Sequence, residues 1–563
     1  VSVATAGETL NIAHHLPRRA RERPWQAALV EPRGRDRDGR RLYTHVTFAQ
    51  LDQSVDRIAH GLRALGVGRG ERTLVLVKPG IELIEVIYAL FKLGAVPVFV
   101  DPGMGRKGFL RAVADAEPRT VVGIAKAHVA LKLAGRKQSK DVVRWVCVGP
   151  RPLPLALCGV EELDQLKASA PAEPFPLANT RPDELAAILF TSGSTGPAKG
   201  VLYEHRMFDA QVALLREVYG LGPDDVDLPG LPIFALFSAA LGATTVFPDM
   251  DASRPATVEP QRFVEAVRDH GVTYSFGSPT IWGKVARHCV EHEVSLPSLR
   301  QVFMAGCPVP TSAHADLRQV LGPQGETYTP YGATEALPIA NATGRELEAT
   351  FARTLRGEGT CVGRPVPGIE LEVIAVEDKP LETWRQVKVL PPGEVGEVVV
   401  SGPVVTHAYH ARPDATAAAK VRDGERVWHR MGDLGYLDDA GRLWFCGRKS
   451  QRVETSAGPR YTACVEAVFN QHPAVRRTAL VGIGPRGDAR PVLVVEAHDG
   501  VPMGAAADAL TKEILALGEG VPATDGVREV LFHPSFPVDV RHNAKIRREV
   551  LAVWAAGRKA WRG

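Results

Sequence analysis

Residues 191 to 200 read Thr191-Ser192-Gly193-Ser194-Thr195-Gly196-Pro197-Ala198-Lys199-Gly200. Four small hydroxyl residues and three glycines in ten positions leave little side-chain bulk. Backbone N–H groups and hydroxyls in such a loop can close around an anion, a phosphate above all. The apolar run Ala186-Ala187-Ile188-Leu189-Phe190 before it suits a buried strand that anchors the loop. It is not a Walker A loop. With Gly193 as the first glycine and Lys199 as the lysine, Ala198 stands where the second glycine belongs and Gly200 where the magnesium-binding hydroxyl belongs. A flexible linker also favours Gly and Ser, but a linker does not normally follow a buried strand or contain Pro-Ala-Lys-Gly.

Outward from the loop, the chain has 563 residues, more than one hydrophobic core usually serves. Its 45% apolar and 23% charged residues describe an ordinary globular protein. A formal charge of +4, from 68 basic and 64 acidic residues, is too balanced to imply nucleic-acid binding. Seven scattered cysteines without a C-x-x-C pair argue for a reducing compartment and against a disulfide framework or zinc site. The N-terminal stretch lacks a signal-peptide apolar run, and the most apolar segment, about 84 to 100, is interrupted by Glu85, Lys92, Gly94 and Pro97. A soluble cytoplasmic enzyme without an integral membrane segment is expected.

Leu51, Val55, Ile58, Leu62 and Leu65 recur at helical spacing before Gly66, which predicts a helix over 46 to 66. Thr73 to Val77 reads as a strand, 81 to 93 as a second helix and Val96 to Val100 as another strand. That alternation predicts βαβ units and a largely parallel sheet. The charged run Glu31 to Arg41 reads as an exposed hairpin loop, and the Pro- and Ala-rich stretch 149 to 184 as a surface connection. A second αβ stretch spans about 186 to 340, short strands and turns fill 360 to 446, and αβ alternation returns from 453 with Val492 to Val495 as a strand.

Three further motifs follow the loop in order: Tyr331-Gly332-Ala333-Thr334-Glu335, then Gly432-Asp433 with Gly447-Arg448, then Asn543-Ala544-Lys545. Alone, they read as a turn leading to a helix cap, a common Gly-Asp turn and a basic tail. As a series they resemble the adenylate-forming family of acyl-CoA synthetases, luciferases and peptide-synthetase adenylation domains, over about residues 40 to 550. The resemblance implies an α/β fold, with a large multi-layer N-terminal domain over 1 to 447 that includes the β-rich subdomain. A hinge over 448 to 452, centred on Ser450, would join it to a small mobile α/β lid over 453 to 563. It implies ATP and Mg²⁺ as cofactors. Thr191, Ser192, Gly193, Ser194, Thr195 and Gly196 would grip the β- and γ-phosphates with Lys199 close by. Ala305, Gly306, Cys307, Tyr331, Gly332 and Ala333 would flank the nucleotide. Thr334 would contact the α-phosphate, Glu335 would hold the metal, Asp433 would accept both ribose hydroxyls, and Arg448 would add a nucleotide contact. Lys545, on the lid, would touch the substrate carboxylate and the α-phosphate. Five-coordinate phosphorus is highly anionic, so charge stabilisation dominates such a step.

The acceptor half of the reaction departs from thioester-forming relatives. Ala235 stands at their usual His, Ser450 at their usual hinge Asp or Lys, and Pro459 to Ala463 does not spell their pattern after Gly458. Tyr331 to Ala340 and the tail His542 to Ile546 are instead similar to a narrower bacterial group that closes β-lactones in long-chain olefin biosynthesis. That implies a long-chain 2-alkyl-3-hydroxy acid, whose own hydroxyl displaces AMP, and other enzymes of the same hydrocarbon pathway as partners. A medium- or long-chain acyl-CoA synthetase is the alternative. Phe234, Phe237 and Gly277 lie in segments that border the acyl site in relatives, although aromatic residues there are more often ordinary core.

Overall fold

The computed structural model describes residues 9–191, 198–538, 545–558 and 560–562, with only the backbone of Pro102 and Thr191. Helix Phe48–Ala64 starts at a capping box in which the Thr47 side chain and the Gln50 side chain each bond the other's backbone. Its apolar stripe packs with helix Ile81–Leu93 into one core. Strands Arg72–Leu76 and Val96–Val100 flank that second helix, as the alternation predicts. They belong to a seven-stranded sheet whose order is Glu161–Glu162, Arg144–Val148, Thr120–Ile124, Arg72–Leu76, Val96–Val100, Leu185–Thr191 and Lys199–Glu204. All its neighbours are parallel except the last pair.

A nine-stranded sheet lies beside it in the order Arg364–Pro365, Ala336–Thr343, Glu326–Ala333, Gln301–Met304, Tyr274–Gly277, Val226–Asp227, Thr244–Val246, Ala27–Arg35 and Arg41–Thr47. Its middle is parallel and each edge carries an antiparallel hairpin. The hairpin Ala27–Thr47 turns at the charged run, whose tip is exposed. The stretch 149 to 184 is more than a connection. Helices Leu153–Leu157 and Leu163–Ser169 form in it because Leu155 and Leu163 find buried sites against the seven-stranded sheet.

Strands within 360 to 448 make a six-stranded antiparallel sheet with its own apolar core, the β-rich subdomain. After the short 3₁₀ turn Lys449–Gln451, a smaller C-terminal domain holds the hairpin Val453–Arg460 and a four-stranded sheet. Helices Thr462–Phe469, Ala505–Ala516 and Arg548–Ala556 complete it. The two domains meet closely where Gly447 faces Thr462, since a Cβ at 447 would sit 2.5 Å from the Thr462 hydroxyl. Among the described residues no helix is long and apolar enough to cross a membrane.

Candidate active site

The glycine-rich loop joins two antiparallel strands, with Thr191 opposite Lys199. The two strands on either side of it pair as a hairpin, whereas a Walker loop leads into a helix. Ser192 to Gly196 and the Thr191 side chain lie outside the described residues. Lys199 Nζ rests 4.9 Å from the centroid of the Tyr409 ring. The Tyr409 hydroxyl donates to Glu335 Oε1 at 2.6 Å. One phenol thus links the loop to the carboxylate expected to hold the metal.

Thr334 and Glu335 are the two turn residues of the hairpin formed by Glu326–Ala333 and Ala336–Thr343, with Ala333 opposite Ala336. This corrects the helix-cap reading of Thr334. Pro338 lacks the N–H a helix interior needs and restricts Leu337 before it, so the chain returns as a strand. Gly332 has no room for a side chain, because a Cβ would sit 2.7 Å from the Ala336 carbonyl oxygen. Both turn residues are fixed by their carbonyls. Tyr203 donates to Thr334 O at 2.6 Å, while the Thr406 N–H and hydroxyl donate to Glu335 O at 2.9 and 3.1 Å. Below Thr406, the buried Lys420 donates to its carbonyl and hydroxyl oxygens. Burial lowers the Lys420 ammonium to about 7 against the opposing pull of Glu335 and Glu204.

Asp433 faces Arg448 across two antiparallel strands. Tyr331 donates to Asp433 Oδ2 at 2.6 Å, and Arg448 Nη1 stands 2.9 Å from Oδ1. Burial raises the Asp433 carboxyl and Arg448 opposes the rise. Oδ1 is buried and paired with Arg448, and the further lone pairs of such a carboxylate fit a ribose diol. Ala305 donates its N–H to Gly277 O at 3.3 Å, so the Ala305-Gly306-Cys307 turn leaves strand Gln301–Met304 beside Gly277, with Gly306 at φ +95°. Glu335 fits Mg²⁺ in kind, a hard carboxylate with one oxygen oriented by Tyr409.

Phe234 and Phe237 do come together in a cavity of about 60 Å³, where Phe234 stacks on Phe276 at 4.2 Å. Leu337 and Pro338 form another wall, only two and three residues beyond Glu335. Gly277 follows Phe276 and is closed off by Trp282, 2.9 Å from where a Cβ would be. Two polar residues of this cavity carried no sequence signal: Gln211 and Asp227. Asp227 Oδ2 accepts from Ser238 at 2.5 Å, and Tyr274 donates to Ser238 at 3.0 Å. Burial pushes the Asp227 carboxyl up to about 7. Ser450 lies in the 3₁₀ turn between the domains, and Lys545 is exposed on the C-terminal domain near Ile546, which bridges to Val538. Arg548 ties that tail to Glu466 at 2.9 Å and to Gln451 in the interdomain turn at 3.1 Å.

The profile of the AMP-binding enzymes matches residues 16–410. The chain belongs to that family. It is 46% identical over 97% of both chains to an olefin β-lactone synthetase of Xanthomonas campestris. To the olefin β-lactone synthetase of Stenotrophomonas maltophilia it is 48% identical, covering 97% of this chain and 98% of the relative. In fold it resembles the amide bond synthetase of Marinactinospora thermotolerans, with a TM-score of 0.76 at 24% identity over 97% of this chain and all of the other. An anthranilate CoA ligase bound to its acyl-adenylate gives 0.79 at 20% identity over 98% of both chains. As an AMP-binding enzyme the protein is an ATP-dependent, adenylate-forming ligase, and its domains have that fold.

Proposed function

We propose that the protein is a β-lactone synthetase acting on long-chain 2-alkyl-3-hydroxy acids. The observation that carries this reading is one hairpin with two duties: its turn presents Thr334 and Glu335, and its next residues, Leu337 and Pro338, wall the aromatic cavity. An acid whose chain enters that cavity brings its carboxylate to the turn. The identity of 46 and 48% with olefin β-lactone synthetases supports the choice of acid.

In this reading the 191 to 196 loop and Lys199 grip the departing pyrophosphate, and Asp433 holds the ribose with Arg448 behind it. Residues 305 to 307 and 331 to 333 flank the adenine. Glu335 holds Mg²⁺, which neutralises phosphate charge when bound. Lys545 approaches as the C-terminal domain, from residue 453 onward, turns about 448 to 452. The carboxylate oxygen attacks the α-phosphorus and pyrophosphate leaves. The 3-hydroxyl then attacks the acyl carbon, closing a four-membered lactone and releasing AMP. Proximity drives the second step, and the walls must exclude water, which would hydrolyse the adenylate. The scattered cysteines, with no C-x-x-C pair, fit a cytoplasmic setting. So insoluble an acid calls for supply by other enzymes of the same hydrocarbon pathway.

The test supplies a long-chain 2-alkyl-3-hydroxy acid and ATP with and without CoA. Lactone, AMP and pyrophosphate without CoA are expected. A thioester formed only with CoA would overturn the reading in favour of an acyl-CoA synthetase.

A further inference from the structure

Gln211 sits on helix His205–Tyr219, and its side chain lines the aromatic cavity while being only 3% exposed. Its Nε2 donates to Leu337 O at 2.9 Å. A carbonyl cannot accept from a carbonyl, so this bond fixes the amide's orientation and leaves Oε1 on the other side. Oε1 is buried and has no hydrogen-bond partner among the described residues. A buried acceptor left unmade is costly and uncommon. Tyr203 contacts the same amide, but its proton goes to Thr334 O. Gln211 is therefore one hydroxyl away from the Thr334-Glu335 turn, at the reactive end of the cavity.

Two other unpartnered polar atoms line the cavity, Tyr219 Oη and Asp227 Oδ1, and both lie deeper. Tyr219 is eight residues further along the helix of Gln211, about 12 Å at helical rise. Asp227 pairs with Tyr274, three residues before Gly277 at the reactive edge of the sheet, about 10 Å along a strand. Of the three, Gln211 is the one bonded to Leu337, two residues beyond Glu335.

We propose that Gln211 Oε1 accepts the hydrogen bond of the substrate's 3-hydroxyl and aims that oxygen at the adenylate carbonyl. This rests on the lactone reading above and makes Gln211 a positioning residue. The hydroxyl oxygen forms the new bond to the acyl carbon, the acyl–phosphate C–O bond breaks with its electron pair going to AMP, and the hydroxyl proton ends on the AMP phosphate. A neutral amide is too weak a base to take that proton, so its task is alignment. An oxygen held out of line by about an ångström loses about 10²-fold in such a step.

The experiment measures pyrophosphate release and lactone for a 3-hydroxy acid and its 3-deoxy counterpart, in wild type, Gln211→Met and Gln211→Glu. Gln211→Met is expected to alter pyrophosphate release from the two acids by the same factor. With the 3-hydroxy acid its lactone per pyrophosphate should fall about 10–10²-fold, the adenylate hydrolysing instead. Gln211→Glu, which burial keeps protonated so that its hydroxyl donates to Leu337 O, keeps an acceptor and should retain more lactone than the Met variant. Unchanged lactone per pyrophosphate in Gln211→Met, with both acids slowed alike, would make Gln211 only a strut for Leu337 and overturn the proposal. Absence of lactone in wild type would remove the lactone reading itself and the proposal with it. If Gln211→Met fails to fold, the Glu variant decides, because a loss of lactone coupling equal to complete uncoupling in Glu would contradict the need for an acceptor alone.

Discussion

Asp227 has a carboxyl with a folded value of about 7, against 3.8 for an ordinary one, because burial disfavours its charge. Between those values the folded chain keeps a proton that the unfolded chain has released. Stability from this group is therefore complete below pH 3.8 and lost as pH rises through about 7. Asp227→Asn should flatten that part of the curve, which urea midpoints across the same range will measure. An unchanged slope in the Asn variant would place the titration elsewhere. Neither Asp227 nor Gln211 was legible in the sequence. Asp227 stands in the run Asp224-Asp225-Val226-Asp227, which looks like a solvated turn until pairing with Tyr274 buries the Asp227 side chain. Gln211 is a single polar residue on a helix, and only its contact with Leu337, 126 positions away, gives it meaning. Asp433 and Glu335 could be singled out as candidates because a motif series fixed their order, though the phenols Tyr331 and Tyr409 that orient them were not read as their partners.

At the scale of elements, the decisive unit is the hairpin that carries the Thr334-Glu335 turn. Gly332→Ala would drive a Cβ to 2.7 Å from the Ala336 carbonyl oxygen, a backbone atom that cannot swing aside. The expected cost is about 1–3 kcal/mol of stability, read by thermal unfolding, with acyl-adenylate formation reduced further because the turn itself moves. Full activity with only a lowered melting temperature would separate the turn's position from its packing. The strands and helices of the first αβ stretch were readable to within a residue or two, since alternation and apolar spacing act locally. The hairpin nature of the glycine-rich loop was not, because which strand follows it depends on long-range pairing. The helices within 149 to 184 were hidden for a related reason: their few buried leucines make sense only against the sheet beneath them.

Across the whole molecule, the change of texture near residue 450 marks the joint between the two domains. There Lys449 pairs with Glu397 at 2.9 Å and Arg452 with Asp378 at 3.0 Å, so the turn containing Ser450 is pinned on both sides to the β-rich subdomain. Ser450→Pro should stiffen this joint and slow turnover while leaving ATP binding nearly unchanged, a split that steady-state rates and nucleotide titration will resolve. Equal loss of both would count against motion at this point. The Tyr409 ring holds the Lys199 ammonium over one face and Glu335 at its hydroxyl, so the cation and the carboxylate are each occupied without pairing with one another. A cation–π contact at a part-open position is worth about 0.5–1 kcal/mol, weak enough for the triphosphate of the proposed reading to displace. An aromatic spacer thus keeps these opposite charges from neutralising one another, which in the proposed reading leaves both available to a nucleotide.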